Sequence, residues 1–214
     1  MTAQFEYSVV MAVKNGEKYL STALDSIFSQ TLQPLEVTVV NDSSTDSTLT
    51  IAQKYPVTII NNLGSGQAAA LNTGIARCTG NLIAFLDHDD SWHPTKQAKQ
   101  IEEFKGNKEL DYVTCEVVNF DGAEKKLNMG SSRVLGATTL KADFIKVMGL
   151  FDENFLHHAI IEWWGRPAAK NALSAIVNEG LFFRLIHDSN STVIGKDDAR
   201  SFLLAAIRAS RSVK

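Results

Sequence analysis

Cysteine is scarce in this chain: Cys78 and Cys115 are the two thiols among 214 residues. Two cysteines cannot build a disulfide framework, and neither sits in a C-x-x-C pair or in a Cys/His cluster of zinc spacing. Both read as buried thiols of a reducing compartment. Long apolar runs are missing too. The stretch up to Val13 has no basic lead-in and is too short for a signal peptide or a membrane span, which makes a cytoplasmic protein the expectation. Positive charge is nowhere concentrated: with a net charge of -3 and no extended Lys/Arg run, broad attraction to nucleic acid is not expected. Low-complexity tracts, internal repeats and an obvious linker are also absent.

What is present is ordinary globular composition, 44% hydrophobic and 21% charged, enough to bury a core as one body. Apolar runs alternate with helix-period segments over the first hundred or so residues, the pattern of βαβ units feeding a mostly parallel sheet. Strands are expected at residues 7–13, 35–40, 57–60 and 82–86. Between them, residues 16–30 carry a helical stripe of Tyr19, Leu20, Ala23, Leu24, Ile27 and Phe28. Further helices are expected through Ile51, with Ser44 or Asp46 as cap, and up to about Arg77. Pro94 suits the first turn of a helix running to Phe104. Beyond Gly106 the pattern loosens: a strand near 112–120, a polar stretch at 121–133, helices at 138–148 and 160–170, a strand at 181–186 and an amphipathic helix at 197–210.

Ligands of open α/β sheets bind at the carboxyl ends of the strands. The polar groups of this sequence fall there: Lys14 and Asn15, then Asn41 and Asp42, then residues 64–67, then Asp87 to Asp90. Asp87, Asp89 and Asp90 place three carboxylates within four residues directly after an apolar strand. Their repulsion must be relieved by solvent, by a raised pKa or by a cation. A hard divalent ion, Mn²⁺ or Mg²⁺, takes one or two such carboxylates and completes its shell with water and phosphates. A solvated acidic turn leading into the helix at Pro94 is the plainer alternative. Gly64-Ser65-Gly66-Gln67-Ala68-Ala69 forms a weak match to a dinucleotide fingerprint, but it sits in the third unit instead of the first, so a nicotinamide-dependent oxidoreductase is the lesser reading.

Five ordered segments resemble the family 2 glycosyltransferases, enzymes of the GT-A fold that use nucleotide-sugars. They are Ser8-Val9-Val10-Met11-Ala12-Val13-Lys14-Asn15-Gly16, Leu24-Asp25-Ser26-Ile27-Phe28-Ser29-Gln30-Thr31, and Val39-Val40-Asn41-Asp42-Ser43-Ser44-Thr45-Asp46-Ser47-Thr48, followed by Gly66-Gln67-Ala68-Ala69-Ala70-Leu71-Asn72-Thr73-Gly74-Ile75 and Phe85-Leu86-Asp87-His88-Asp89-Asp90-Ser91-Trp92-His93-Pro94. The resemblance implies one α/β domain over residues 1–214, a Rossmann-like and mostly parallel sheet flanked by helices. Residues 1–105 would be the nucleotide-sugar-binding half and 106–214 a short acceptor-side half. It implies that Asp42 accepts a hydrogen bond from a ring N–H of the base, with Ala12, Lys14 and Gly66 on the donor pocket. Asp89 is implied near the ribose or sugar and as a second metal ligand, Asp90 as metal ligand and Asp87 as support. Arg184 and His187, in a segment similar to the family's later motif, are implied near the diphosphate, with His187 as a further metal ligand. The donor is expected to be a nucleoside diphosphate sugar, a UDP-sugar in the first instance, and the acceptor a carbohydrate or a lipid-linked one.

The sequence also departs from the family. Ala70-Leu71-Asn72 lacks a cation often found there. The family's catalytic Glu-Asp pair is expected just before the helix at 160–170, where this chain has His157-His158-Ala159-Ile160-Ile161-Glu162. An inverting transfer needs a general base near the acceptor hydroxyl; Glu162 is the candidate, with His158 second. Alternatively Glu162 pairs with Arg166 at i,i+4 on a solvated helix face. Trp163 and Trp164 suit either a sugar platform or core packing. The missing pair also admits a non-catalytic nucleotide-sugar-binding or regulatory protein. A second metal on His157, His158 and Glu162 has the wrong spacing. Phe202, Leu203, Ala206 and Ile207 opposite Arg200, Arg208 and Arg211 suit packing on the domain or peripheral contact with a membrane.

Overall fold

The computed structural model describes residues 5–121, 126–130, 134–155 and 159–187. Its first half repeats a strand-helix unit: β1 (Tyr7–Val13), α1 (Leu20–Phe28), β2 (Glu36–Asn41), α2 (Thr48–Ala52), β3 (Thr58–Asn61), α3 (Gly66–Ile75) and β4 (Leu82–Phe85). These four strands pair in parallel in the order β3-β2-β1-β4. The apolar run of β1 serves both faces. Val9, Met11 and Val13 join one core cluster with α1, α2 and the later helix α4 (Lys96–Gly106), while Val10 and Ala12 face a second cluster with α3. A strand buried on both sides has no polar face to alternate with.

The second half continues the sheet with mixed polarity: β5 (Ser91–Trp92), β6 (Tyr112–Asp121), β7 (Lys126–Gly130), a single 3-10 turn at Leu135–Ala137, β8 (Thr139–Lys141), α5 (Ala142–Met148), α6 (Ala159–Ala169) and β9 (Ser174–Ile186). Its order is β3-β2-β1-β4-β8-β6-β9-β5, with β7 paired to β6. The α/β class and the parallel pairing of the first four strands therefore match expectation, and the sheet is mixed beyond β4.

Three local expectations are corrected. Residues 138–148 were expected as one helix, yet Thr139–Lys141 is a strand and the helix starts at Ala142. The open edge of β4 supplies the reason, since its unpaired backbone groups need a ladder partner and β8 fills that place antiparallel. Residues 126–130, expected within a polar stretch, pair with β6. Pro94 stands two residues ahead of α4 instead of within its first turn, its carbonyl accepting the Thr31 N–H at 2.8 Å. The helix expected at 197–210 lies outside the described residues, as do His157 and His158. Among the described residues, no helix is long and apolar enough to cross a membrane.

Candidate functional site

The four loops at the carboxyl ends of β1 to β4 are bonded into one assembly. Asn15, at φ 53°, and Ser43, at φ 61°, turn the first two loops toward each other. There the Asn15 N–H donates to Ser44 Oγ at 3.0 Å and the Thr45 N–H to Asn15 Oδ1 at 2.9 Å. Gly16 allows a close approach: a Cβ there would stand 2.8 Å from Val13 Cγ1 and 2.9 Å from the ring of His88. The first loop thus rests directly on the acidic segment.

Asp42 closes the second loop, 8% exposed, with its N–H on the Val13 carbonyl at 2.8 Å. Its Oδ1 accepts from Asn62 Nδ2 at 2.7 Å and from the Gly66 N–H at 3.3 Å. Gly66 takes φ +85°, a conformation that strains any side-chain-bearing residue. The glycine pair weighed as a dinucleotide fingerprint thus has a local role in this fold: its loop turns inward and serves the Asp42 carboxylate. Ala12 is half-buried on β1, and Lys14 is exposed just beyond its end.

In the acidic segment the three carboxylates have different surroundings. The Asp87 carboxyl is enclosed although part of the residue reaches the surface. Burial first, and the Asp89 charge second, push it up to about 6, against His88, Arg184 and a bond from Gln67 Nε2 at 3.2 Å. Asp90 is 5% exposed, and its Oδ1 accepts the Leu185 N–H at 3.0 Å, a tie from the loop after β4 to β9. Burial, then Asp87 and Asp89, hold it well above the usual carboxylate range. Asp89 faces His187, with Nε2 3.0 Å from Oδ2. The His187 ring stacks on Tyr19 at 5.3 Å between centroids. Of the acidic residues expected at a metal, Asp89 is thus paired with His187, while Asp90 is engaged with the backbone of β9. The short strand β5, absent from the sequence reading, makes this meeting possible by pairing Ser91 with Phe183 and Trp92 with Phe182.

The acceptor-side candidates have a different setting. Glu162 is buried, and both its oxygens are taken by Arg166: Nε donates to Oε1 at 3.0 Å, and NH2 to Oε2. The i,i+4 pairing is as expected, but it lies on a buried face of α6 and not on the solvated one. Trp163 and Trp164 are 0% and 4% exposed, so of the two alternatives core packing describes them. The Trp163 Nε1–H donates to the Gly149 carbonyl at 2.8 Å. Sequence reasoning also passed over Tyr19, read as a mere apolar position, and Asn62, whose role depends on a chain turn that periodicity does not reveal.

The chain matches the sequence profile of Glycosyl transferase family 2 over residues 8–162. It is 28% identical over 208 residues to an uncharacterised glycosyltransferase of Rickettsia typhi, covering 86% of this chain and 65% of that protein. Many solved structures share its fold, among them these two. One is S. aureus TarS in complex with UDP-GlcNAc, with a TM-score of 0.79, 18% identity, and coverage of 95% of this chain and 66% of that one. The other is the mannosyltransferase PcManGT of Pyrobaculum calidifontis in complex with GDP-Man and Mn²⁺, with a TM-score of 0.76, 16% identity, and coverage of 98% and 66%. The chain therefore spans just under two thirds of the length of these three proteins.

Proposed function

Because the chain belongs to glycosyl transferase family 2, we propose that it moves a sugar from a nucleoside diphosphate donor to an acceptor hydroxyl with inversion. The observation that carries this reading is the bonded assembly of four strand-end loops, with Asp42 at one end and the Asp89–His187 pair at the other. Asp42 offers a carboxylate to a ring N–H of the base, for which a uracil is the first candidate. Ala12, Lys14 and Gly66 border the same pocket. Arg184, close enough to Asp87 and Asp90 to pull both down, supplies positive charge toward the diphosphate. That the structural relatives were solved with UDP-GlcNAc and GDP-Man supports a donor of this class.

The donor set suits a divalent cation, Mn²⁺ or Mg²⁺. Asp89 and His187 lie within bonding distance of one another, and Asp87 and Asp90 add acidic surroundings. Among the described residues no three metal-ligating side chains converge, and hard cations of this kind commonly take one or two protein ligands and finish on phosphate oxygens. Held there, the cation would neutralise the departing diphosphate. Asp90 acts in this scheme by fixing β9, and hence His187, against the loop after β4.

A second reading has its own observation. The Glu162 carboxylate is engaged on both oxygens by Arg166, so the candidate base is tied up, and His158 is the remaining one. On that reading the chain binds a nucleotide-sugar without transferring it. The acceptor, carbohydrate or lipid-linked, a peripheral membrane contact and a cytoplasmic setting belong to the proposal as well. Calorimetry with UDP, GDP, ADP and TDP in the presence of Mn²⁺ tests the common part: binding of none of them sinks both readings. Donor turnover over an acceptor panel then separates transfer from binding alone.

A further inference from the structure

Asn72 sits on the buried side of α3, 8% exposed, and its side chain bonds away from its own helix. Its Nδ2 donates to the Phe151 carbonyl and to Glu153 Oε1, each at 2.9 Å, while its Oδ1 accepts the Phe151 N–H at 3.0 Å. The two-way exchange with one residue's backbone is the pattern by which a β-strand pairs, made here by a side chain. The segment it grips is the loop after α5. Phe151 is buried there, edge-on to Phe85 at 6.2 Å and tilted on Trp163 at 5.5 Å.

The other carboxylate oxygen of Glu153 reaches the donor side. It lies 3.3 Å from where a Cβ of Gly64 would be, and Ala69 Cβ closes the same space at 2.8 Å. Gly64 belongs to the loop after β3 that presents Asn62 Nδ2 and the Gly66 N–H to Asp42. Glu153 thus stands between Asn72 and the loop that serves Asp42, and that loop is bonded to α3 itself, the Leu63 N–H donating to Thr73 Oγ1 at 3.3 Å. Helix α3 is a firm base for it, since a Cβ on Gly74 would come within 2.4 Å of Val10 Cγ1 on β1.

We propose that Asn72 and Glu153 are positioning residues for the base pocket. Through them the loop after α5 sets the height of the Asn62–Gly66 turn, and so the placing of Asp42. This inference rests on the donor reading given above. It implies that engaging a base at Asp42 steadies the Asn72–Phe151 pairing.

Wild type, Asn72→Asp, Glu153→Gln and the double variant are compared for UMP binding without metal and for pyrophosphate binding with Mn²⁺. Asn72→Asp sets a carboxylate against the Phe151 carbonyl and Glu153, and weakens UMP by about tenfold or more. Glu153→Gln alone changes little, because its amide oxygen still accepts from Asn72. In the double variant the new amide at position 153 donates to the new carboxylate at position 72 and recovers most of the loss. Pyrophosphate affinity stays at the wild-type level throughout, whereas a merely structural defect lowers both ligands together. Should Asn72→Asp fail to fold, native-state hydrogen exchange on the wild type decides, with protection of the Phe151 amide rising on addition of UMP. Binding of UMP by the wild type with no rise at Phe151, or with unchanged affinity in Asn72→Asp, overturns the inference. Absence of nucleotide binding by the wild type overturns the donor reading beneath it.

Discussion

Arg166 closes on Glu162 along one face of α6, Nε to Oε1 at 3.0 Å and NH2 to Oε2, and directs its remaining NH1 at the carbonyls of Met148 at 3.1 Å and Leu150 at 2.8 Å. The guanidinium thereby joins α6 to the end of α5 and to the loop that Asn72 grips from the other side. An ion pair in this position is a brace. It explains why a carboxylate stands at Glu162 without any appeal to proton transfer.

Removing one partner of a buried pair strands the other charge. Glu162→Gln should therefore lower folding stability by about 3 kcal/mol, read as a fall in the urea midpoint at unchanged slope. Nucleotide affinity of the remaining folded protein should match wild type. The opposite result, unchanged stability with loss of sugar transfer, would restore Glu162 as the general base.

Asp89 and Asp90 are neighbours with separable duties. An asparagine at position 90 can still accept the Leu185 N–H on its amide oxygen, so Asp90→Asn should keep most Mn²⁺-dependent UDP affinity. Asp89→Asn removes the charge that faces His187 and should cost roughly 10- to 100-fold, the worth of one charge-assisted contact. Calorimetry with and without Mn²⁺ checks the order. A larger loss for Asp90→Asn would make Asp90 the metal ligand.

How far the sequence foretold this arrangement depends on how local each cause is. The units from β1 to β4 were legible because each is written in its own period, and the polar residues at their ends needed only the rule that ligands gather there. Strand β8 was misread since Thr139 and Leu140 answer to the open edge of β4, a partner more than fifty residues away. The two-residue strand β5 carries no periodicity at all, yet it brings His187 beside Asp89. The resemblance alone had associated those two residues. Periodicity put Trp163 and Trp164 on a helix, but which way that helix faces was decided by Phe144, Phe151 and Tyr112. Asn72, visible in a motif, had no readable role until Phe151 arrived across the chain.

Asp42 should discriminate bases by charge. Its carboxylate is acceptor-only and favours a ring that presents N3–H, as uracil does. Cytosine presents a lone pair there and is repelled. Asp42→Asn introduces a donor, so the UDP-over-CDP preference should shrink by roughly tenfold or more through weaker UDP and stronger CDP binding. Competition between the two nucleotides on one calorimetric titration measures it, and an unchanged ratio would place the base elsewhere.

Lys96 is wholly buried, its Nζ on Gln100 Oε1 at 2.9 Å and 4.5 Å over the Trp92 ring, and burial lowers its pKa to about 8. The unfolded chain, with an ordinary lysine, binds more protons than the fold between about pH 8 and 10.5, so this group destabilises below pH 8 and the penalty fades as pH rises through that window. Wild-type stability alone will hide the effect. Burial raises the Cys78 thiol to about 12 and the Cys115 thiol as well, and raised acids lose stability over the same alkaline range. Comparison with Lys96→Met isolates the lysine. Methionine keeps the apolar stem, and the single Thr139 hydroxyl proton is then shared by Gln100 Oε1 at 2.7 Å and Gln97 Oε1 at 3.0 Å, a cost that offsets part of the gain. Lys96→Met should be the more stable protein at pH 7, by up to about 3 kcal/mol for a shift of this size, and the two should converge near pH 10.5. A constant difference across that range would show that Lys96 is charged in the fold at all these pH values, with Trp92 and Gln100 compensating the burial.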